Sequence, residues 1–239
     1  MRIVIPGGTG HLGTLLARYL HSQNHSVTVI SRFPAARPWE AVHWNPPVLG
    51  EWIGAIEGAD ALINLTSHKV DPSILADAVA RCIQPPRVHF NVGVDLLVAP
   101  VMSPAPRSVF AGLLRLVRFA LVGRAGSGQQ FVSWIHDADF VRAIEFLIAH
   151  GDSEGPIDVC SPRPLPCEEF LAHLRSPLQL AFAYPDWLLE AAAFVLRADT
   201  QVIRQDRQAQ PSYLLQSGFE FEFPEWPEAA LDLVSRRRG

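Results

Sequence analysis

The chain has 239 residues, 49% of them hydrophobic, and a formal net charge of −4, enough for one sizeable core with a small appended lobe. That charge leaves no electrostatic footprint for nucleic acid, and the longest apolar run is too short and interrupted to span a bilayer. Cys82, Cys160 and Cys167 have no metal-ligand spacing, and the first residues already read as part of a fold, so no metal and a reduced, cytoplasmic compartment are expected.

Ile3–Ile5 is a short β-branched run, the mark of a buried strand. Gly7, Gly10 and Gly13 follow at the spacing G-x-x-G-x-x-G, and Leu12, Leu15, Leu16 and Leu20 recur at helical spacing. A second β-rich run, Val27–Ile30, closes a β-α-β unit of about 30 residues. This arrangement has the logic of a dinucleotide site. Gly7 permits a tight turn, Gly10 lets the backbone approach a pyrophosphate, and Gly13 lets helix and strand pack closely. The helix N-terminus offers N–H groups and partial positive charge to the phosphates.

The end of the second strand selects the cofactor. An acidic residue there would bind the ribose 2′-OH of NAD, whereas arginine accommodates the 2′-phosphate of NADP. The chain has Ser31-Arg32, no nearby aspartate, and Arg37 close behind, so NADP is expected over NAD.

Downstream, Ala41–Trp44 reads as a short strand, Trp52–Ile56 as a helical turn and Ala61–Leu65 as a buried strand. Ligands of open α/β sheets sit beyond the carboxyl ends of the strands, which brings Leu65, Thr66 and Ser67 beside the cofactor. A helix over 72–83 stops at Pro85-Pro86, and Val88–Val92 is the next strand. Leu96–Met102 is another apolar run, and Leu113–Leu121 a basic amphipathic helix. A flexible loop over 122–128 leads to Phe131–Asp139, a strand turning into a helix that Asp137 or Asp139 can cap. Pro156–Cys160 reads as a strand, Cys167–Leu174 and Leu188–Val195 as helices, and a helix stops at Gly218. The alternation of Phe219, Phe221 and Phe223 predicts a half-buried strand before a last helix over Trp226–Val234. Arg236-Arg237-Arg238 reads as a frayed, solvated end.

Three blocks together carry a resemblance: Gly7–Gly13 with Ser31-Arg32; Gly123–Ile144, containing Phe-Val-Ser-Trp-Ile-His-Asp-Ala-Asp; and Pro211–Leu233, containing Leu-Leu-Gln-Ser-Gly-Phe. In these the chain resembles the extended short-chain dehydrogenase/reductase superfamily, within the branch of NAD-dependent epimerases/dehydratases and nucleoside-diphosphate-sugar epimerases. The resemblance implies an α/β fold: a Rossmann-like doubly wound parallel sheet over 1–150 that binds NAD(P), and a small C-terminal α/β substrate lobe over 151–239. It implies NADP held by Gly7, Thr9, Gly10, His11, Leu12, Gly13, Ser31, Arg32, Leu65 and Thr66, and a small substrate such as a sugar nucleotide, carbonyl or polyol, in a monomer or homodimer. It gives His136 a place ordering the floor between the lobes, although a satisfied buried histidine is the reading preferred over a catalytic one.

The superfamily's chemistry uses a Ser or Thr after the fifth strand, and a Tyr with a Lys four residues later. Here that strand ends Asn91-Val-Gly-Val94. The tyrosines are Tyr19, Tyr184 and Tyr213, and the only lysine, Lys69, is far from all three. The catalytic residues are therefore unassigned. Only Gly93-Val94-Asp95 separates Val92 from Leu96, whereas parallel neighbours need a crossover of a dozen or more residues. An irregularity is expected there: a chain break, a missing crossover helix, or a pair that is not parallel. Two functions remain open: an NADP-dependent epimerase or oxidoreductase, and an NADP-binding sensor or scaffold without catalysis.

Overall fold

A computed structural model describes residues 1–45, 50, 52–66, 73–118, 130–150, 155–175 and 208–238. Ser67, Lys69, Tyr184, the loop over 122–128 and the helix expected over 188–195 lie outside these residues. Packing divides the chain into two compact units, Met1–Leu97 with Val141–Ile157, and Val98–Phe140 with Asp158–Gly239. Both units are discontinuous in the sequence.

In the first unit, β1 (Arg2–Pro6), α1 (His11–Ser22), β2 (Ser26–Ser31), β3 (Glu40–His43), α2 (Ile53–Ile56), β4 (Ala61–Asn64), α3 (Ser73–Arg81) and β5 (Val88–Asn91) follow in order. The strands form one parallel sheet in the order β3-β2-β1-β4-β5. This is the α/β, Rossmann-like arrangement. β1 sits centrally with Ile3, Val4 and Ile5 fully buried, as expected where both faces of a parallel sheet are covered. On one face, Val4, Ile30 and Leu62 pack with Trp44, Trp52, Ile56 and the α3 residues Leu75 and Ala78. Leu16, Ala17 and Leu20 form the buried stripe of α1. At the C-terminal end of α1, Tyr19 donates to Glu145 Oε2 at 2.7 Å, and His25 Nε2 lies 2.9 Å from Glu145 Oε1.

The junction after β5 is continuous and tight. The Val94 and Asp95 N–H groups donate to the Asn91 carbonyl at 3.1 and 2.9 Å, and Gly93, at φ +94°, donates to the Leu96 carbonyl at 2.8 Å. No crossover helix intervenes. The run from Leu96 to Met102 is broken at Pro100 into β6 (Leu96–Val98) and β7 (Val101–Met102). An isolated parallel bridge links Val92 to Leu96, but β6 belongs to a two-stranded sheet with β10 (Ile157–Val159) and is not a sixth neighbour of β5.

The second unit contains α4 (Val109–Arg118), β8 (Phe131–Val132), β9 (Ile135–His136), β11 (Leu165–Pro166), α6 (Cys167–Arg175), α7 (Ser212–Gln216) and α8 (Trp226–Arg238). α5 (Asp137–Ala149) begins in this unit and ends in the first. β7 pairs with β9 in parallel, and β8 with β11 antiparallel. The core is aromatic: Trp226 stacks on Phe170 at 4.0 Å, meets Trp134 edge-on at 4.8 Å, and donates its indole N–H to the Phe170 carbonyl. α4 begins a turn earlier than its apolar periodicity predicts, because the Ser108 hydroxyl accepts the Ala111 N–H at 3.0 Å.

Two expectations are corrected here. Residues 219–223 form no strand, although burial alternates along them as the sequence implied. The Glu222 and Phe223 N–H groups are taken by the buried Asp139 carboxylate, at 2.8 and 2.9 Å, in place of a strand partner. The arginine tail is not a frayed end: α8 continues through it, Arg236 pairs with Asp137 and Asp232, and Arg237 donates to the Pro104 carbonyl at 2.7 Å.

Candidate functional site

The site is built at the carboxyl ends of β1, β2 and β4. Gly7 turns the chain out of β1 at φ +80°. A Cβ on it would lie 2.7 Å from the Leu65 carbonyl carbon and 2.8 Å from the Thr66 nitrogen. Only glycine satisfies both the conformation and the approach. Sequence reading missed Gly8, whose added Cβ would sit 2.8 Å from the Val29 side chain; the Gly7-Gly8 doublet was the available signal. Gly13 is pressed against the Gly8 backbone, so its close approach is to the loop and not to a strand.

Gly10 differs from its neighbours. A Cβ there would meet only the Gly7 carbonyl oxygen, at 3.5 Å. Gly10 is exposed, and α1 starts from it with no side-chain cap. His11, Leu12 and Gly13 form the first turn of this helix, which carries no acidic residue. The protein's own packing therefore leaves Gly10 as glycine without need, while the space before a 12-residue helix N-terminus stays open. That is the cradle a pyrophosphate requires.

Thr9 and Ser31, separated by 21 residues in the sequence, meet hydroxyl to hydroxyl at 2.7 Å. Ser31 is buried, its oxygen also accepts the Phe33 N–H at 3.2 Å, and exposed Arg32 projects between them in sequence. On the other side of Gly7, a chain of polar groups runs across the strand ends. Asn64 Oδ1 accepts from the Thr66 N–H at 3.0 Å and the Thr66 hydroxyl at 2.7 Å, while Asn64 Nδ2 donates to Asn91 Oδ1 at 2.9 Å. Asp95 Oδ2 then accepts from both the Asn91 backbone N–H and its side-chain amide. The structure thus gathers Gly7, Thr9, Gly10, His11, Leu12, Gly13, Ser31, Arg32, Leu65 and Thr66 around one loop. Asn64 and Asp95, unnoticed in the sequence, hold its far side because amide pairing across strands leaves no local signature.

Among the described residues the titratable candidates do not assemble a proton-transfer set. Burial, followed by the Glu145 hydrogen bond and charge, raises the Tyr19 pKa to about 12, opposite to what an activated phenolate needs. His136, 1% exposed, accepts the Ala138 N–H at Nδ1, which leaves Nε2 to donate to Asp232 Oδ2 at 3.0 Å. Phe223 stacks on its ring at 3.9 Å. Burial lowers its pKa, against the pull of Asp137 and Asp232. It is a satisfied buried histidine that caps α5, a role expected of Asp137 or Asp139. No group of metal-ligating side chains occurs among the described residues, and none of their helices is long and apolar enough to cross a membrane.

The parallel sheet with a glycine turn at its carboxyl edge defines a Rossmann-like nucleotide-binding fold. No protein-family model matches the chain. It is 27% identical to Epimerase family protein ML0860 of Mycobacterium leprae, over 92% of this chain and 91% of that protein. It is 22% identical to human Epimerase family protein SDR39U1, over 98% of this chain and all of that protein. The crystal structure of human SDR39U1 with NADPH superposes with a TM-score of 0.78 at 20% identity, covering 98% and 99% of the two chains. A Bordetella bronchiseptica enzyme, WbmG, solved with NAD and UDP, superposes with a TM-score of 0.61 at 14% identity, over 99% and 95%. These relatives and solved structures support an epimerase-like relationship of the chain to the extended short-chain dehydrogenases/reductases. Ninety-two per cent of 239 residues is about 220, so about 68 of the 288 positions aligned with the M. leprae protein are filled by that protein alone.

Proposed function

We propose that this chain binds NADP(H) at the β1–α1 loop without the proton-transfer set of its superfamily. The observation that carries the reading is the open space at Gly10, set between a glycine turn packed on Leu65 and an uncapped helix N-terminus. Gly7, Thr9, Gly10, His11, Leu12 and Gly13 would hold the pyrophosphate, Leu65 and Thr66 the side beyond β4, and Ser31 and Arg32 the 2′-phosphate. The NADPH bound by the human relative supports NADP over NAD. A bound nicotinamide would supply hydride transfer. In titrations by calorimetry, NADPH is expected to bind at least several-fold tighter than NADH, and Arg32→Glu to erase or reverse that preference. Equal affinities in the wild type would overturn the choice of NADP.

The second reading is an active epimerase or reductase on a sugar nucleotide, small carbonyl or polyol. It is supported by the epimerase-family relatives and by the UDP complex of WbmG. Against it stand the chain's lack of any Tyr-x-x-x-Lys, the raised pKa of Tyr19, and a turn in place of the crossover after β5.

A further inference from the structure

Phe33 is 79% exposed, directly beyond Arg32 at the end of β2. A large aromatic ring left in water costs hydrophobic free energy that nothing in the fold returns. Yet its backbone is anchored. Its N–H is held by the buried Ser31 hydroxyl, which is itself locked to Thr9 of the phosphate loop. The Arg32 guanidinium lies over its ring, 5.9 Å from the centroid. Cation–π contact of this kind keeps a guanidinium beside an aromatic face and leaves its N–H fork available to an anion.

We infer that Phe33 is the purine-contacting residue of this site, an aromatic face for the adenine ring of the dinucleotide, with Arg32 reading the 2′-phosphate next to it. The inference rests on the proposed cofactor reading and deepens it by separating two recognition tasks in adjacent residues. An aromatic face serves any adenine nucleotide, because every base has a π surface. The guanidinium discriminates only on the phosphate. The two residues therefore have different ligand signatures.

The test is calorimetric titration of wild type, Phe33→Ala, Phe33→Trp and Arg32→Ala with NADP, NAD, 2′,5′-ADP and nicotinamide mononucleotide, with melting temperatures as a folding control. Phe33→Ala should weaken NADP, NAD and 2′,5′-ADP alike, by about tenfold, the scale of base–aromatic stacking. Nicotinamide mononucleotide should be unaffected, and Phe33→Trp should restore the loss. Arg32→Ala should weaken NADP and 2′,5′-ADP but not NAD. Wild-type affinities in Phe33→Ala would overturn the inference while leaving the cofactor site intact. So would a loss confined to the 2′-phosphorylated ligands, because Phe33 would then only prop Arg32. A wild type that binds none of the adenine ligands would overturn the cofactor reading itself, and this inference with it.

Discussion

At the scale of single residues, the glycines of the β1–α1 loop divide into those the fold needs and the one it does not. A Cβ added at Gly7, Gly8 or Gly13 would lie only 2.7, 2.8 or 2.4 Å from its nearest neighbouring atom, whereas at Gly10 it has room. Gly10→Val should therefore keep the melting temperature close to wild type while abolishing NADP binding, because the β-branched side chain would occupy the pyrophosphate's space. A mutant that binds NADP normally in the same titration would move the site elsewhere. His136 makes a second prediction. Burial holds its pKa below the unfolded value of about 6.5, so below that pH the unfolded chain takes up a proton that the folded chain resists. Stability is intact above about pH 6.5 and falls as pH drops from there toward the depressed folded value. The slope of denaturation midpoint against pH should be shallower in His136→Gln than in wild type. The slope should not vanish, because burial lowers the pKa of His89 too.

At the scale of elements, the segment after α7 shows how a periodicity can be right about burial and wrong about conformation. Phe219 is buried, Glu220 exposed, and Phe221 and Phe223 half-buried, but the Asp139 carboxylate replaces a strand as hydrogen-bond partner. Asp139→Ala would leave two part-buried backbone donors without their carboxylate partner, at a cost of about 1–3 kcal/mol in all. Urea unfolding should show that loss, with Asp139→Asn milder since it keeps one acceptor. Phe219→Ala should cost about 3 kcal/mol, Phe221→Ala less, and Glu220→Ala close to nothing. Equal losses for Phe219→Ala and Glu220→Ala would contradict the observed burial.

At the scale of the whole molecule, catalysis is the quantity at issue. A positioned acid or base is worth about 10²–10⁴ in rate, and the sequence has no Tyr-x-x-x-Lys to supply it. Oxidation of NADPH with sugar nucleotides, aldehydes and ketones, followed at the absorbance of the reduced nicotinamide, is expected to stay close to the uncatalysed rate. Robust turnover that a single substitution near Thr66 or Asn91 abolishes would establish the active-enzyme reading instead.

The sequence by itself determined the β-α-β unit, the burial of the strand at Ile3–Ile5, and the glycine loop with Ser31-Arg32 behind it. These depend on local periodicity, on backbone conformation and on residues placed within about 30 positions of one another. It also marked the junction at Val92–Leu96, because a three-residue link cannot cross over a sheet. Tertiary structure alone decided the rest. The Ser31 hydroxyl joining Thr9 to Phe33, the Asn64-Asn91-Asp95 chain across the strand ends, the Asp139 carboxylate meeting Glu222 and Phe223, and Arg236 closing on Asp137 and Asp232 each join polar groups whose partners the fold selects. A hydrogen-bonding side chain announces in sequence only that it needs a partner. Which one it finds is fixed when apolar packing has set the distances between elements.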